Sequence, residues 1–144
     1  MIKRLPVILL AISILLYIIS LTQVAFCTDR CRDAFEVVLL GWLAALFGGA
    51  ALTWIANPIL WGSWLIFKKQ PKDSLIASIV AFIISLSFLG CDRIIEDEAG
   101  HKNPILSYQL GYWFWLASFG AMAIANILRH YINTNLKITS ANKT

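Results

Sequence analysis

Along this chain apolar positions do not alternate with polar ones; they run together. Four apolar runs, at about 5–27, 37–67, 74–91 and 105–128, are separated by short polar breaks. A helix needs about 20 residues to cross the hydrocarbon of a bilayer. The pattern predicts an all-α, polytopic membrane protein, a compact bundle of four transmembrane helices. That domain is expected over 1–133, followed by a polar cytoplasmic tail at 134–144 with at most a short helix at its start.

The runs differ in length. The third is at the short end of what can span, so an upright helix is expected there. The second holds 31 residues, which as one helix would reach about 46 Å. That is too long for one upright crossing and too short for two. A tilted or broken span is expected, bent at Asn57-Pro58, because proline lacks an N–H and clashes with the preceding turn. Part of the excess, 34–41, is expected to lie along the outer interface. The first run, after Lys3 and Arg4, has the layout of a signal peptide. It is longer than a signal core and no small-x-small cleavage pattern closes it, so a retained helix is expected.

Packing signals lie inside the runs. Gly41, Ala45, Gly49, Thr53 and Asn57 recur every fourth residue. Ala77, Ala81 and Ser85 repeat the device, as do Ala117, Ala121 and Ala125. Small residues let helix backbones approach in lipid, where no hydrophobic drive brings helices together. Gly48-Gly49 is read as part of this packing. Trp61, Trp64 and Phe67 are expected at the inner headgroup level, and Tyr108, Tyr112, Trp113 and Trp115 at the outer one.

Composition sharpens the assignment: 59% of residues are hydrophobic and 14% charged, too apolar for a wettable exterior on a chain of this size. The net charge of +4 does not imply nucleic acid, because the basic residues sit at the ends of apolar runs rather than on one patch. Lys3, Arg4, Lys68, Lys69, Lys72, Arg129, Lys137 and Lys143 fall in alternate breaks with one acid, Asp73. The other two breaks, 27–36 and 91–104, hold the remaining seven acids. Basic breaks stay inside. Both termini are therefore expected in the cytoplasm, the acidic loops outside, and the location as a bacterial inner membrane.

Candidate chemistry is sparse. No Asp, Glu, Lys, Arg or His falls within the runs, which weighs against a proton-coupled transporter. Asn57 is the leading intramembrane polar residue, read as satisfying backbone groups freed by the bend at Pro58. Cys27, Cys31 and Cys91 all fall on the expected outer side, in an oxidising compartment. A disulfide from Cys91 to Cys27 or Cys31, tying the first and third helices, is the simplest use of them. With His101 the three thiols are also a candidate zinc or copper(I) set, although the spacing matches no established pattern. His130, after Arg129, is read as a headgroup contact.

The general layout, cysteines in outer loops over four helices, is similar to that of membrane thiol oxidoreductases of the periplasmic disulfide-forming and vitamin K epoxide reductase types. Those families use a C-x-x-C pair. This chain has C-x-x-x-C and no second pair, so no catalytic residue is carried over. No cofactor is implied. The expected function is non-enzymatic: an accessory or partner-binding subunit acting through helix packing, with the lipid bilayer and either a second copy or a larger membrane complex as partners. A thiol-disulfide or quinone-linked oxidoreductase at the outer face, and an oligomeric channel or small-solute transporter, are the alternatives.

Overall fold

The computed structural model describes residues 4–46, 48–95 and 102–141. It is mostly helical. Helix α1 spans Leu5–Leu21, with Pro6 in its first turn, where no N–H is missed. Thr22 ends it, its hydroxyl and N–H both donating to the Ile19 carbonyl at 2.8 and 3.1 Å. A tight hairpin follows, β1 (Val24–Cys27) paired antiparallel with β2 (Cys31–Asp33). Helix α2 (Ala34–Ala45) leads through a break into a 3₁₀ segment, Gly49–Ile55, and directly into α3 (Ala56–Ile66). Helix α4 (Pro71–Ser87) closes with a 3₁₀ turn, Phe88–Gly90. Strands β3 (Arg93–Ile95) and β4 (Lys102–Pro104) form a second antiparallel pair. Strand β5 (Ser107–Tyr108) adds to β1, completing a three-stranded sheet of order β2-β1-β5. Helix α5 runs from Leu110 to Ala141.

The all-α expectation therefore needs a correction at one end. The two acidic breaks are not bare loops; strands from both are woven into a cap. The Leu106 N–H donates to the Cys27 carbonyl at 2.8 Å and the Gln109 N–H to the Ala25 carbonyl at 2.9 Å. This end is called here the hairpin end; the opposite, carrying Lys68, Lys69, Lys72 and Arg129, the basic end. The tail is corrected too. Helix α5 continues through most of 134–144, to Ala141.

Pro71–Gly90 and Leu110–Leu136 are each long and apolar enough to cross a bilayer. The pair Ala34–Ala45 and Gly49–Ile66 passes the same test together, but is bent by 113°. Helix α1, of 17 residues, is a shorter apolar helix.

The bend is not where the proline suggested. Gly48 and Gly49 have φ of 80° and 66°, a left-handed region that costs other residues about 1–2 kcal/mol each. They are the break itself, not a packing surface. Pro58 sits in the first turn of α3, where proline is tolerated. The Trp54 carbonyl, four residues back, has no α-helical donor from Pro58; the Ala56 backbone N–H is directed to it and to the Thr53 carbonyl instead. The Asn57 side-chain amide also donates to the Trp54 carbonyl, at 3.0 Å. Asn57 thus bonds a backbone carbonyl beside Pro58, and no large kink occurs at the proline.

Helix α1 packs against α5, α5 against α4, and α4 against α3. The ring closes between α1 and α3 through large side chains. Tyr17 meets Trp64 and Trp61 edge-on at 5.4 and 6.2 Å between ring centroids. Those tryptophans, expected at the inner headgroup level, pack in the seam between α1 and α3.

Polar side chains, more than alanine, line the buried faces. On α4 the buried positions are Ser74, Ser78, Ala81 and Ser85, a spacing of four, three and four that keeps one face inward. Asn126 of α5 donates to the Ser74 carbonyl at 3.1 Å and the Ser78 hydroxyl at 3.0 Å, and accepts from the Ser74 hydroxyl at 3.0 Å. The Ser63 hydroxyl of α3 donates to the Ser74 carbonyl at 3.0 Å. The Ser13 hydroxyl of α1 donates to the Ser118 carbonyl of α5 at 2.7 Å and accepts from the Trp64 indole at 3.1 Å. Such interhelical bonds contribute about 0.6 kcal/mol each, up to about 1.7.

The expected small-residue stripes are only partly realised. Ala125 is buried, but Ala121 is half-buried and Ala117 exposed. The Gly41, Ala45, Gly49, Thr53 stripe is cut by the 113° bend, so it forms no single face. Gly41 still packs, since a Cβ there would overlap the Trp54 indole across the bend.

Candidate functional site: the hairpin end and the cavity beneath α2

Helix α2 does not join the bundle. It leans on the 3₁₀ segment, α1 and the first hairpin, leaving Phe35, Leu39, Leu40, Trp42, Leu43 and Leu46 exposed. Between it and the bundle lies a cavity of about 240 Å³. Its walls are apolar and aromatic, chiefly Phe26, Val37, Phe88 and Tyr112, with Trp54, Trp115 and Asn57 toward α3 and Arg32 and Glu36 on the α2 side.

Local sequence explains the shape. Helix α2 can turn across the bundle because two glycines supply the break. It can lie close because Gly41 leaves room for Trp54, whose indole donates to the Val38 carbonyl at 2.9 Å. Gly111 does the same for α5, since a Cβ there would overlap the Val24 backbone carbonyl. Arg32 and Glu36 form an ion pair at 3.0 Å, half-exposed and one helical turn apart, worth little to stability.

Asn57 organises the α3 side. Its Oδ1 accepts from the Tyr17 hydroxyl at 3.0 Å and from the Trp115 indole at 2.8 Å. Three helices meet at this amide, which is 2% exposed. Tyr112 is buried, against its expected headgroup position, and its hydroxyl donates to the Ser85 carbonyl at 3.2 Å. Trp54, Asn57, Tyr112 and Trp115 are thus bonded within the chain.

The cysteines correct the sequence expectation. Cys27 and Cys31 are disulfide-bonded to each other, facing across the hairpin as directly paired residues. Cys91 is free and half-buried. Helix α1 stops at Leu21, so the first two cysteines lie on strands, and the antiparallel register brings them together whatever the position of α4. The Cys91 thiol donates to the Ser87 carbonyl at 3.6 Å, and the Tyr108 hydroxyl reaches the Phe88 and Cys91 carbonyls at 3.0 and 3.3 Å. Burial pushes the Cys91 thiol pKa up, and the Asp92 carboxylate adds to this. The neutral thiol is favoured, the opposite of an activated nucleophile. Tyr108 is raised likewise, by burial first and then by Cys91 and Asp92.

Of the candidate metal set, Cys27 and Cys31 are consumed by their disulfide and His101 lies outside the described residues. Among the described residues no three His, Cys, Asp or Glu side chains gather at metal-binding distance. What the sequence reading missed is the serine and asparagine seam of α3, α4 and α5. Its signal was the recurrence of Ser74, Ser78 and Ser85 on one face of an otherwise apolar run.

Comparison with protein-family models, with curated proteins and with solved structures finds no match to this chain.

Proposed function

We propose that this chain is an integral membrane protein of four crossings that serves as a non-enzymatic binding subunit. It receives an apolar group from the bilayer or from a partner helix in the cavity beneath α2. Helices α4 and α5 meet the length requirement. Helix α1 is at the lower limit of spanning length. The second crossing is the 3₁₀ segment with α3. Seven residues of 3₁₀ rise about 14 Å and eleven of α-helix about 16 Å. Together they reach about 30 Å, the hydrocarbon thickness. Helix α2 then lies near the outer interface, which accounts for a run too long for one span and too short for two. The charge pattern supports a hairpin end outside and a basic end in the cytoplasm of a bacterial inner membrane.

One observation carries the binding reading. The polar side chains of the helix seams are bonded to other helices of the same chain, while α2 keeps an unpartnered apolar face over an apolar cavity. The test is purification from native membranes in mild detergent, for the natural chain and for Ala44→Trp, which fills the cavity. Loss of a co-purifying protein or lipid in the variant, with melting temperature kept, is the expected result. An identical set of companions, or none for either protein, would remove this reading.

The thiol-oxidoreductase alternative has one supporting observation: the disulfide and Cys91 share the hairpin end, linked through β5 and Tyr108. The raised Cys91 thiol weighs against it. Retention of full function by Cys91→Ser would exclude it.

A further inference from the structure

The basic end holds a second cavity, of about 180 Å³, between the start of α1 and the later turns of α5. Val7 and Ile132 give it apolar walls; Lys68, Arg129 and Asn133 give it a polar side. The Arg129 guanidinium lies over the Phe67 ring, 4.6 Å from its centroid, and its Nη2 donates to the Lys68 carbonyl at 3.2 Å. Phe67 is itself 1% exposed, so the guanidinium is held against a fixed surface.

Its other nitrogen has no acceptor. Among the described residues, Arg129 Nη1 is the one buried side-chain nitrogen or oxygen without a hydrogen-bond partner. Arginine cannot shed its charge, and a buried donor left unbonded costs about 1–3 kcal/mol, more when charged. The fold therefore holds a charged donor, unbonded within the chain, on a residue that lines the pocket. The surrounding charge has the same sign: Arg4, Lys68, Lys69, Lys72 and Arg129 stand at this end against Asp73.

We propose that this pocket binds the phosphate of an anionic phospholipid. Arg129 Nη1 and the Lys68 ammonium meet the phosphate oxygens, Asn133 adds an amide donor, and the glycerol and first acyl carbons lie along Val7 and Ile132. A guanidinium recognises phosphate strongly because its N–H groups match the oxygen spacing. The apolar walls select a lipid over a free ion. Basic pockets between helices at the cytoplasmic side are where anionic headgroups are recognised. The inference rests on the membrane placement above, and is independent of the role given to the cavity under α2.

The test uses the purified full chain in nanodiscs of phosphatidylcholine, with or without phosphatidylglycerol, and reads melting temperature and the lipid retained in native mass spectrometry. Phosphatidylglycerol is expected to raise the melting temperature and to stay bound. Arg129→Gln is expected to lower that retention about tenfold, the loss of a charge-assisted bond. Inorganic phosphate added to detergent-solubilised protein is expected to leave melting unchanged. Equal retention of the two lipids, equal retention by Arg129→Gln, or a phosphate effect as large as that of the lipid would each overturn the proposal. Should Arg129→Gln not fold, Lys68→Ala with Asn133→Ala, at exposed positions, takes its place, and unchanged retention there overturns it equally. Failure of the chain to enter nanodiscs at all would instead refute the membrane placement.

Discussion

At the scale of single residues, two amides hold more than their size suggests. Asn57→Ala removes one acceptor from two buried donors, Tyr17 and Trp115, and one donor from the Trp54 carbonyl. A loss of about 1–3 kcal/mol is expected, since orphaned buried donors cost more than the bond itself returns. It is to be read as a lower melting temperature in detergent; unchanged melting would contradict the geometry. Tyr17→Phe, which takes away a donor and leaves the acceptor its second partner, should cost less. The thiols give a second check. One reactive thiol is expected in the denatured, unreduced protein and three after reduction, because only Cys91 is free. Cys91→Ser should leave the disulfide intact. The folded thiol titrates above its ordinary range. Its contribution to stability is present below the unfolded thiol pKa and is lost as pH rises through the raised value. Alkylation of Cys91 near neutral pH should accordingly be slower in the folded chain than in the unfolded one.

At the scale of elements, glycine placement outweighs proline. The second apolar run reads as one segment because hydropathy does not register conformation. Gly48 and Gly49 adopt φ values that other residues avoid, and the helix direction turns there. Replacing both by alanine should penalise the break by about 1–2 kcal/mol at each position and favour a continuous helix. Spin labels at exposed Leu40 and Leu65 would then move apart; an unchanged distance would show that packing of α2, not the glycines, sets the angle. Gly111 is a stricter case. The Cβ in Gly111→Ala meets the Val24 backbone carbonyl, which cannot rotate aside. Melting should fall by more than for Gly62→Ala, where nothing lies within reach. The packing stripes were half legible. Every fourth small residue is a fair guide within α4, but Ala117 shows that the alanines of α5 mark its face only approximately. The inward face of a helix is set by what its neighbours offer, here serine and asparagine partners on three helices.

At the scale of the whole molecule, sidedness is the claim with the widest reach. In the Cys91→Ser background, a membrane-impermeant maleimide should label Arg93→Cys from outside intact cells and Lys69→Cys only after the membrane is opened. The reverse pattern would invert the assignment of both ends, and with it the oxidising surroundings of the disulfide. In the proposed topology the two cavities lie at opposite faces. The one under α2 is apolar and internally satisfied; the one at Arg129 is charged and unsatisfied. They suit different ligands.

The amino-acid order alone decided that this chain is dominated by apolar helices, roughly where along the chain they fall, and which breaks carry positive charge. Those properties follow from local composition, because hydrophobic run length and basic flanks need no knowledge of neighbours. Three things depended on the tertiary structure. The strand register joins Cys27 to Cys31 rather than to Cys91. The crossing of three helices turns isolated serines and asparagines into one bonded seam. The packing of α5 beside Phe67 and Lys68 holds Arg129 with one buried nitrogen that has no acceptor. Each is a relation between residues far apart in the chain, and such distances are set only when the elements pack.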